Sequence, residues 1–341
     1  MMPSVVALGG GHGLAASLRA LRGRTGRLTA VVTVADNGGS SGRLRRELGV
    51  IAPGDLRMAL AALCDDRAVG ETGDREDLGW AGLVQHRFTD PDELRGHPVG
   101  NLLLVAVWEQ HGGDVVAGLE RLASLVDARG TVLPMSTVPL DIVARVRGAD
   151  PAHPEQVTDV MGQVEVATTP GQVLDVRLSP NDPPAASQAL AAIRECDWVV
   201  LGPGSWFTSV IPHLLVPELR RSLEQTRARR MVVLNLDPQP GETADFEPDT
   251  HLEVLARHAP SLRLDVVLAD TGSVSDPDRL REAAAAYGAE VVMAPLRVDD
   301  GSARHDHHRL ATAYERVMSG RWLDRTAATA AKPDRKDALW R

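Results

Sequence analysis

The chain has 341 residues, a formal charge of −9 and a pI near 5.7, long enough for one large α/β domain or two smaller ones. That acidity argues against nucleic-acid partners, which call for a basic face, but leaves room for a local basic pocket. Cys64 and Cys196 are too few and too far apart for a disulfide framework or a thiolate metal site, and read as buried thiols of a reducing compartment. No apolar run reaches the roughly 18 residues that span a membrane. The N-terminus lacks a charged leader ahead of a long apolar stretch, so a cytoplasmic protein is expected.

In chain order, SVVALGG (Ser4 to Gly10) reads as a buried parallel strand and LAASLRALR (Leu14 to Arg22) as a helix, with Leu14, Leu18 and Leu21 at helical spacing. LTAVVTVAD (Leu28 to Asp36) is a second strand, completing a βαβ unit. GDLRMALAALC and NLLLVAVWEQ follow as helices, with Asp55 and Asn101 placed to cap them. Residues 131–180, rich in Val and Thr with alternating stretches, predict a β-rich insertion. CDWVVLGPGSWFTSVIPHLL returns to strand, turn and helix. RMVVLNL, LRLDVVLAD and AEVVMAPLRV are further strands, and HRLATAYERVMSG is the last helix. The fold class expected is α/β, a Rossmann-like, doubly wound, mainly parallel sheet with the β-rich insertion. Residues 1–325 would form a single domain, and the polar tail 326–341 is expected to be disordered.

Ligands of such sheets bind beyond the C-terminal ends of the strands, and three loops lie there. GGGHG supplies Gly9, Gly10, Gly11, His12 and Gly13 at a strand-to-helix turn, where free N–H groups suit a phosphate or diphosphate. It lacks the Lys-Ser/Thr of a Walker loop and the G-x-G-x-x-G spacing. The second loop, DNGGSSGRLRR, offers Asp36 for a ribose hydroxyl, sugar hydroxyl or metal. It adds Asn37, Gly38, Gly39, Ser40 and Ser41 as small donors, and Arg43, Arg45 and Arg46 as planar cations. The third, GPGSWFTS, repeats the design of the first with Gly202, Pro203, Gly204, Ser205 and Thr208. Ser205 does not sit in a G-x-S-x-G elbow, so no hydrolase nucleophile is assigned. Two such turns in separate halves of the chain fit a ligand with two ends.

These motifs, with PGDLRMALAAL, HPVGNLLL and QPGET in this order, resemble the YvcK/CofD-like family from about Val5 to Leu310. DNGGSSGRLR together with GPGSWFTS is similar to its bacterial gluconeogenesis-factor branch. The resemblance implies a Rossmann-like cytoplasmic protein tied to growth on gluconeogenic carbon sources, cell shape and peptidoglycan synthesis. It also implies UDP-N-acetylglucosamine or another diphosphate nucleotide as ligand, with protein partners in cell-envelope synthesis and no assigned reaction. The related enzyme branch, the 2-phospho-L-lactate transferases, uses Mg2+ to join a phospholactyl group to a deazaflavin. Two positions depart from the family's pattern. His12 stands where a Thr is usual, and Asn37 replaces a second Asp, which lowers the expectation of Mg2+ dependence and transferase activity.

Other residues divide between site and scaffold. His97 and Asn101 of HPVGN, and Asn235, Gly241, Glu242 and Thr243 after the strand RMVVL, lie at the ligand edge. Asp55 faces the cleft with Arg57 or caps its helix. His305, Asp306, His307 and His308 crowd together, but without a distant acidic partner they are not read as a metal site. Arg304 and Asp306 match a recurring Arg-His-Asp of the family, making Arg304 a candidate for the ligand's phosphate or sugar. The run RRSLEQTRARR reads as a solvated helix face. The expected function is therefore a nucleotide-sugar-binding regulatory protein with no catalytic residue assigned. A Mg2+-dependent transferase, an NAD-binding oxidoreductase and a protein-interaction scaffold stand as rivals, and a homo-oligomer is left open.

Overall fold

The computed structural model describes residues 2–64, 79–90, 93–239, 242–244 and 246–320. Gly241 and the tail 326–341 lie outside the described residues.

Among the described residues seven strands form the main sheet and three a smaller one. In chain order they are β1 (Ser4–Gly9), β2 (Arg27–Val32), β3 (Thr131–Pro134), β4 (Asp141–Arg147), β5 (Val157–Met161), β6 (Gln172–Ser179), β7 (Trp198–Leu201), β8 (Arg229–Val233), β9 (Val266–Asp270) and β10 (Glu290–Ala294). The main sheet runs β10-β9-β8-β7-β1-β2-β3, with every neighbouring pair parallel. Its central strands are continuously apolar because helices cover both faces: Val5, Val6, Ala7 and Leu8 are all buried. The chain winds outward from β1 to β3, then returns to pair β7 with β1. The switch point of this α/β fold thus falls between β1 and β7.

The stretch read as a β-rich insertion divides in two. Thr131–Pro134 pairs with β2 as an edge strand of the main sheet, while β5-β4-β6 form a separate antiparallel sheet. The reason is one of period. VLP in β3 is continuously buried, as a parallel strand requires, whereas β6 alternates apolar and polar residues, as a half-buried antiparallel strand does.

The helices that matter to the site are α1 (Gly11–Leu21), α2 (Gly39–Leu48), α3 (Gly54–Leu63), α4 (Trp80–Gln85) and α5 (Val99–Gln110). Leu14, Leu18 and Leu21 of α1 are buried as their spacing predicts. Helix α1 packs between α3 and the helix His307–Met318, where Ser17 Oγ and Tyr314 Oη lie 2.6 Å apart in the core. Two capping expectations fail. Helix α3 begins at Gly54 and α5 at Val99, so Asp55 and Asn101 sit inside first turns, and neither Pro53 nor Pro98 supplies a side-chain cap. Both side chains are thereby released for longer-range contacts. Among the described residues no helix is long and apolar enough to cross a membrane.

Candidate functional site

The loops after β1, β2 and β7 meet at the C-terminal edge of the sheet, around the switch point. Gly9 ends β1, Gly10 is extended, and Gly11 opens α1 at φ 58°. Exposed His12 and half-buried Gly13 complete the first turn, Gly13 against the Pro203 carbonyl. A β-carbon at Gly10 would collide with Thr33 and stand 2.5 Å from Asp55 Oδ2 and 3.2 Å from Ser209 Oγ. One at Gly54 would stand 2.5 Å from Ser41 Oγ and 2.9 Å from Asp36 Oδ2. These contacts place the first turns of α1, α2 and α3 side by side. None of the three carries a side-chain cap, since their caps are Gly10, Gly38 and Pro53. Uncapped N-termini leave N–H groups and positive dipole ends directed at one region, which favours an anion there.

Two carboxylates share that region. Asp36 Oδ1 accepts the Gly38 N–H at 2.8 Å. Asp55 is 9% exposed, and its carboxyl is raised to about 7. Burial is the main cause and the Asp36 charge adds to it, against the Gly11 N–H and Arg57, which act the other way. Asp55 Oδ2 and Thr33 Oγ1 are both buried without a hydrogen-bond partner among the described residues. This donor set fits a Mg2+ that completes its coordination with water and phosphate oxygens. It is not an all-protein cage, because among the described residues no three His, Cys, Asp or Glu gather as a metal site. Asp55, 19 positions beyond Asp36, is close enough for the Asp36 charge to act on it.

Asn37 has another task. Its Nδ2 donates to Glu165 Oε2 at 2.7 Å, and its Oδ1 accepts the Val164 N–H at 3.1 Å. It thereby fastens the small sheet, through its segment Gln163–Ala167, onto the cleft loop. Arg45 adds to this joint, donating to Asp141 Oδ1 at 2.9 Å and to the Asp36 carbonyl. Replacing Asn37 by Asp would remove the donor and set two carboxylates together. We expect that variant to loosen the small sheet by about 1–2 kcal/mol, seen as faster hydrogen exchange over residues 163–167. Unchanged protection there would show that the joint holds without Asn37.

The cations fall elsewhere than their sequence order suggests. Arg43 donates to the carbonyls of Glu93 (2.7 Å) and Arg95 (3.4 Å), tying α2 to the segment before α5. Arg57 is buried, bonded to Gln85 Oε1, and lowered to about 10, chiefly by burial. Arg304 is exposed and pairs with Asp300 within its own loop, and Asp306 caps the helix His307–Met318. His305 turns inward and is held to about 4 by burial, while His307 and His308 stack on each other. Of these cations, Arg57 acts on both the Asp55 and Asp36 carboxylates.

The remaining predicted residues form its flanks. Gly39 is exposed beside Ser40, and Ser40 Oγ lies 2.7 Å from His97 Nδ1 and accepts from Asn101 Nδ2 at 3.0 Å, all three side chains buried. On the far side Gly202 and Pro203 are buried, and the Asn235 amide makes two 2.9 Å bonds to the Gly204 peptide. That pairing makes Asn235 a brace for the turn. Ser205 Oγ accepts the Thr208 N–H, contacts Thr208 Oγ1, and donates to the buried Glu242 carboxylate. Burial raises Glu242, opposed by these bonds. Thr243 Oγ1 accepts the Gln239 N–H.

The chain matches the family model described as "2-phospho-L-lactate transferase CofD" over residues 5–313. It is 49% identical over 332 residues to a Mycobacterium leprae protein named "Putative gluconeogenesis factor", covering 96% of this chain and 89% of that one. It is 31% identical over 324 residues to the "Gluconeogenesis factor" of Bacillus subtilis, covering 91% and 96% respectively. A crystal structure of a UPF0052 family member from Bacillus halodurans superposes with a TM-score of 0.79 at 30% identity, covering 92% of this chain and 98% of that chain.

Proposed function

The chain belongs to the CofD family, and on that premise we propose that it is a gluconeogenesis-factor-type regulatory protein whose cleft binds a diphosphate nucleotide of the UDP-N-acetylglucosamine kind. The observation that carries this reading is the convergence of three uncapped helix N-termini at the sheet's switch point. The free backbone N–H groups of these first turns suit two adjacent phosphates. The diphosphate would lie over Gly10–Gly13 and the Gly202–Ser205 turn, one turn from each half of the chain. The relatives' names supply the link to carbon metabolism. Roles in cell shape and peptidoglycan synthesis, and protein partners there, belong to the same reading.

A second reading, a Mg2+-dependent transferase of phosphorus-containing groups, draws on the Asp36 and Asp55 pair. Those two side chains would hold the ion, which would neutralise charge on the phosphate oxygens.

The discriminating experiment is a thermal-shift titration with UDP-N-acetylglucosamine, UDP-glucose, NAD and GTP, each with and without Mg2+. A ligand at 100 times its Kd stabilises by about 2.7 kcal/mol. Stabilisation by UDP-N-acetylglucosamine without metal is the expected result. Stabilisation only with Mg2+ would favour the transferase, and stabilisation by NAD alone, or by none of them, would overturn the reading.

A further inference from the structure

A groove lies at the opposite edge of the sheet from the glycine cleft. The helices Ser187–Glu195 and Pro217–Gln225 run into the starts of β7 and β8. Between them is a groove of about 560 Å3 lined by Arg194, Arg221 and Arg227, with Ser222 and Glu218 among its other residues. It begins where those strands begin, whereas the glycine cleft lies beyond their ends. A four-residue strand separates the two by about 13 Å along its length alone.

Three features mark the groove. The first is cationic charge without internal partners: among the described residues no hydrogen bond or ion pair engages Arg194, Arg221 or Arg227, although the chain carries a net charge of −9. The neighbouring Arg220 and Arg230 behave differently, donating to the carbonyls of His258, Leu223 and Glu224. The second is the Ser222 hydroxyl, buried with no partner among the described residues. The third is polarity along the groove. Glu218 lies two helical turns from Gln225 and uses one carboxylate oxygen on the Ala185 N–H at 3.0 Å, so its charge closes one end to anions and offers that end as an acceptor.

We propose that this groove binds a small phosphorylated polyol, such as a sugar phosphate, with the phosphate among the three arginines and a hydroxyl end toward Glu218. Guanidinium groups match phosphate oxygens in a planar, charge-assisted geometry. The groove's volume lies in the range of small-molecule sites. Its length, about 10 Å between Glu218 and Gln225, is short for a protein interface of some 20 residues a side.

The test is calorimetric titration of the full chain at low ionic strength with glucose 6-phosphate, glucose and inorganic phosphate, repeated on the Arg221→Gln/Arg227→Gln variant and on Glu218→Gln. Both variants change exposed side chains at the sheet's far edge, and circular dichroism would confirm that they fold. Glucose 6-phosphate should bind, glucose should not, and the double arginine variant should weaken binding by at least about tenfold. Glu218→Gln should weaken glucose 6-phosphate more than inorganic phosphate. Equal binding by wild type and the arginine variant would put the ligand elsewhere and overturn the proposal. So would an absence of binding at millimolar concentration, or equal affinity for inorganic phosphate and glucose 6-phosphate.

Discussion

Asp55→Asn is expected to make the protein more stable at pH 8, by about 2–4 kcal/mol, while weakening whatever the cleft binds through that carboxylate. The folded carboxyl sits at about 7 against an ordinary value of 3.8. Between those two values the folded chain holds a proton that the unfolded chain has released. Stability carried by this group is therefore full below pH 3.8 and falls as pH rises to 7, where the accumulated loss is about 4 kcal/mol. An amide keeps the shape and removes the cost of ionising beside Asp36. Urea denaturation of both proteins at pH 8 and pH 4 measures this. The gain should shrink toward zero at pH 4, and a variant less stable than wild type at pH 8 would mean that Asp55 is better solvated when ionised than its burial implies.

His213 sets the second large effect, on the acid side. It is fully buried, its Nε2 donates to the Val31 carbonyl at 3.0 Å, and burial lowers it to about 4 from 6.5, partly opposed by its backbone hydrogen bonds. Below pH 6.5 the unfolded chain takes a proton there that the folded chain refuses. Stability from this group is therefore complete above pH 6.5 and is lost as pH falls toward 4, by about 3 kcal/mol in all. His305, lowered to about 4 by its own burial, titrates over the same window and adds to the slope. In His213→Gln, whose amide retains a donor for Val31, the dependence of unfolding free energy on pH between 6.5 and 4.5 should become shallower by up to about 1.4 kcal/mol per pH unit. An unchanged slope would show that the folded protein accepts the proton.

Local patterns carried the fold a long way. Leu14, Leu18 and Leu21 marked α1, and the continuously apolar VVAL and WVVL marked strands buried on both faces. Gly-rich turns after β1 and β7 marked the C-terminal edge of the sheet, because strand polarity fixes which end those turns occupy. Pairings between distant side chains were not legible. Nothing local to Asn37 says that its amide will meet Glu165, 128 positions on, since that depends on how the small sheet docks. The same is true of Asp55 beside Asp36, of Asn235 bracing the Gly204 peptide, and of Ser205 facing Glu242. The partners of the arginines were least legible. Arg43 and Arg304 have the right chemistry for phosphate, but a long side chain can find a nearer acceptor, and both do, in backbone carbonyls and in Asp300.

The pairing of β1 with β7 has a consequence for how the molecule would behave as a sensor. Val5 to Leu8 against Trp198 to Leu201 is the seam along which two separately wound halves are stitched, and each half lends one glycine turn to the cleft. A molecule gripped by both turns would act as a rivet across that seam. Its presence would be felt as stiffness between halves, and so could reach surfaces far from the cleft without any loop having to travel.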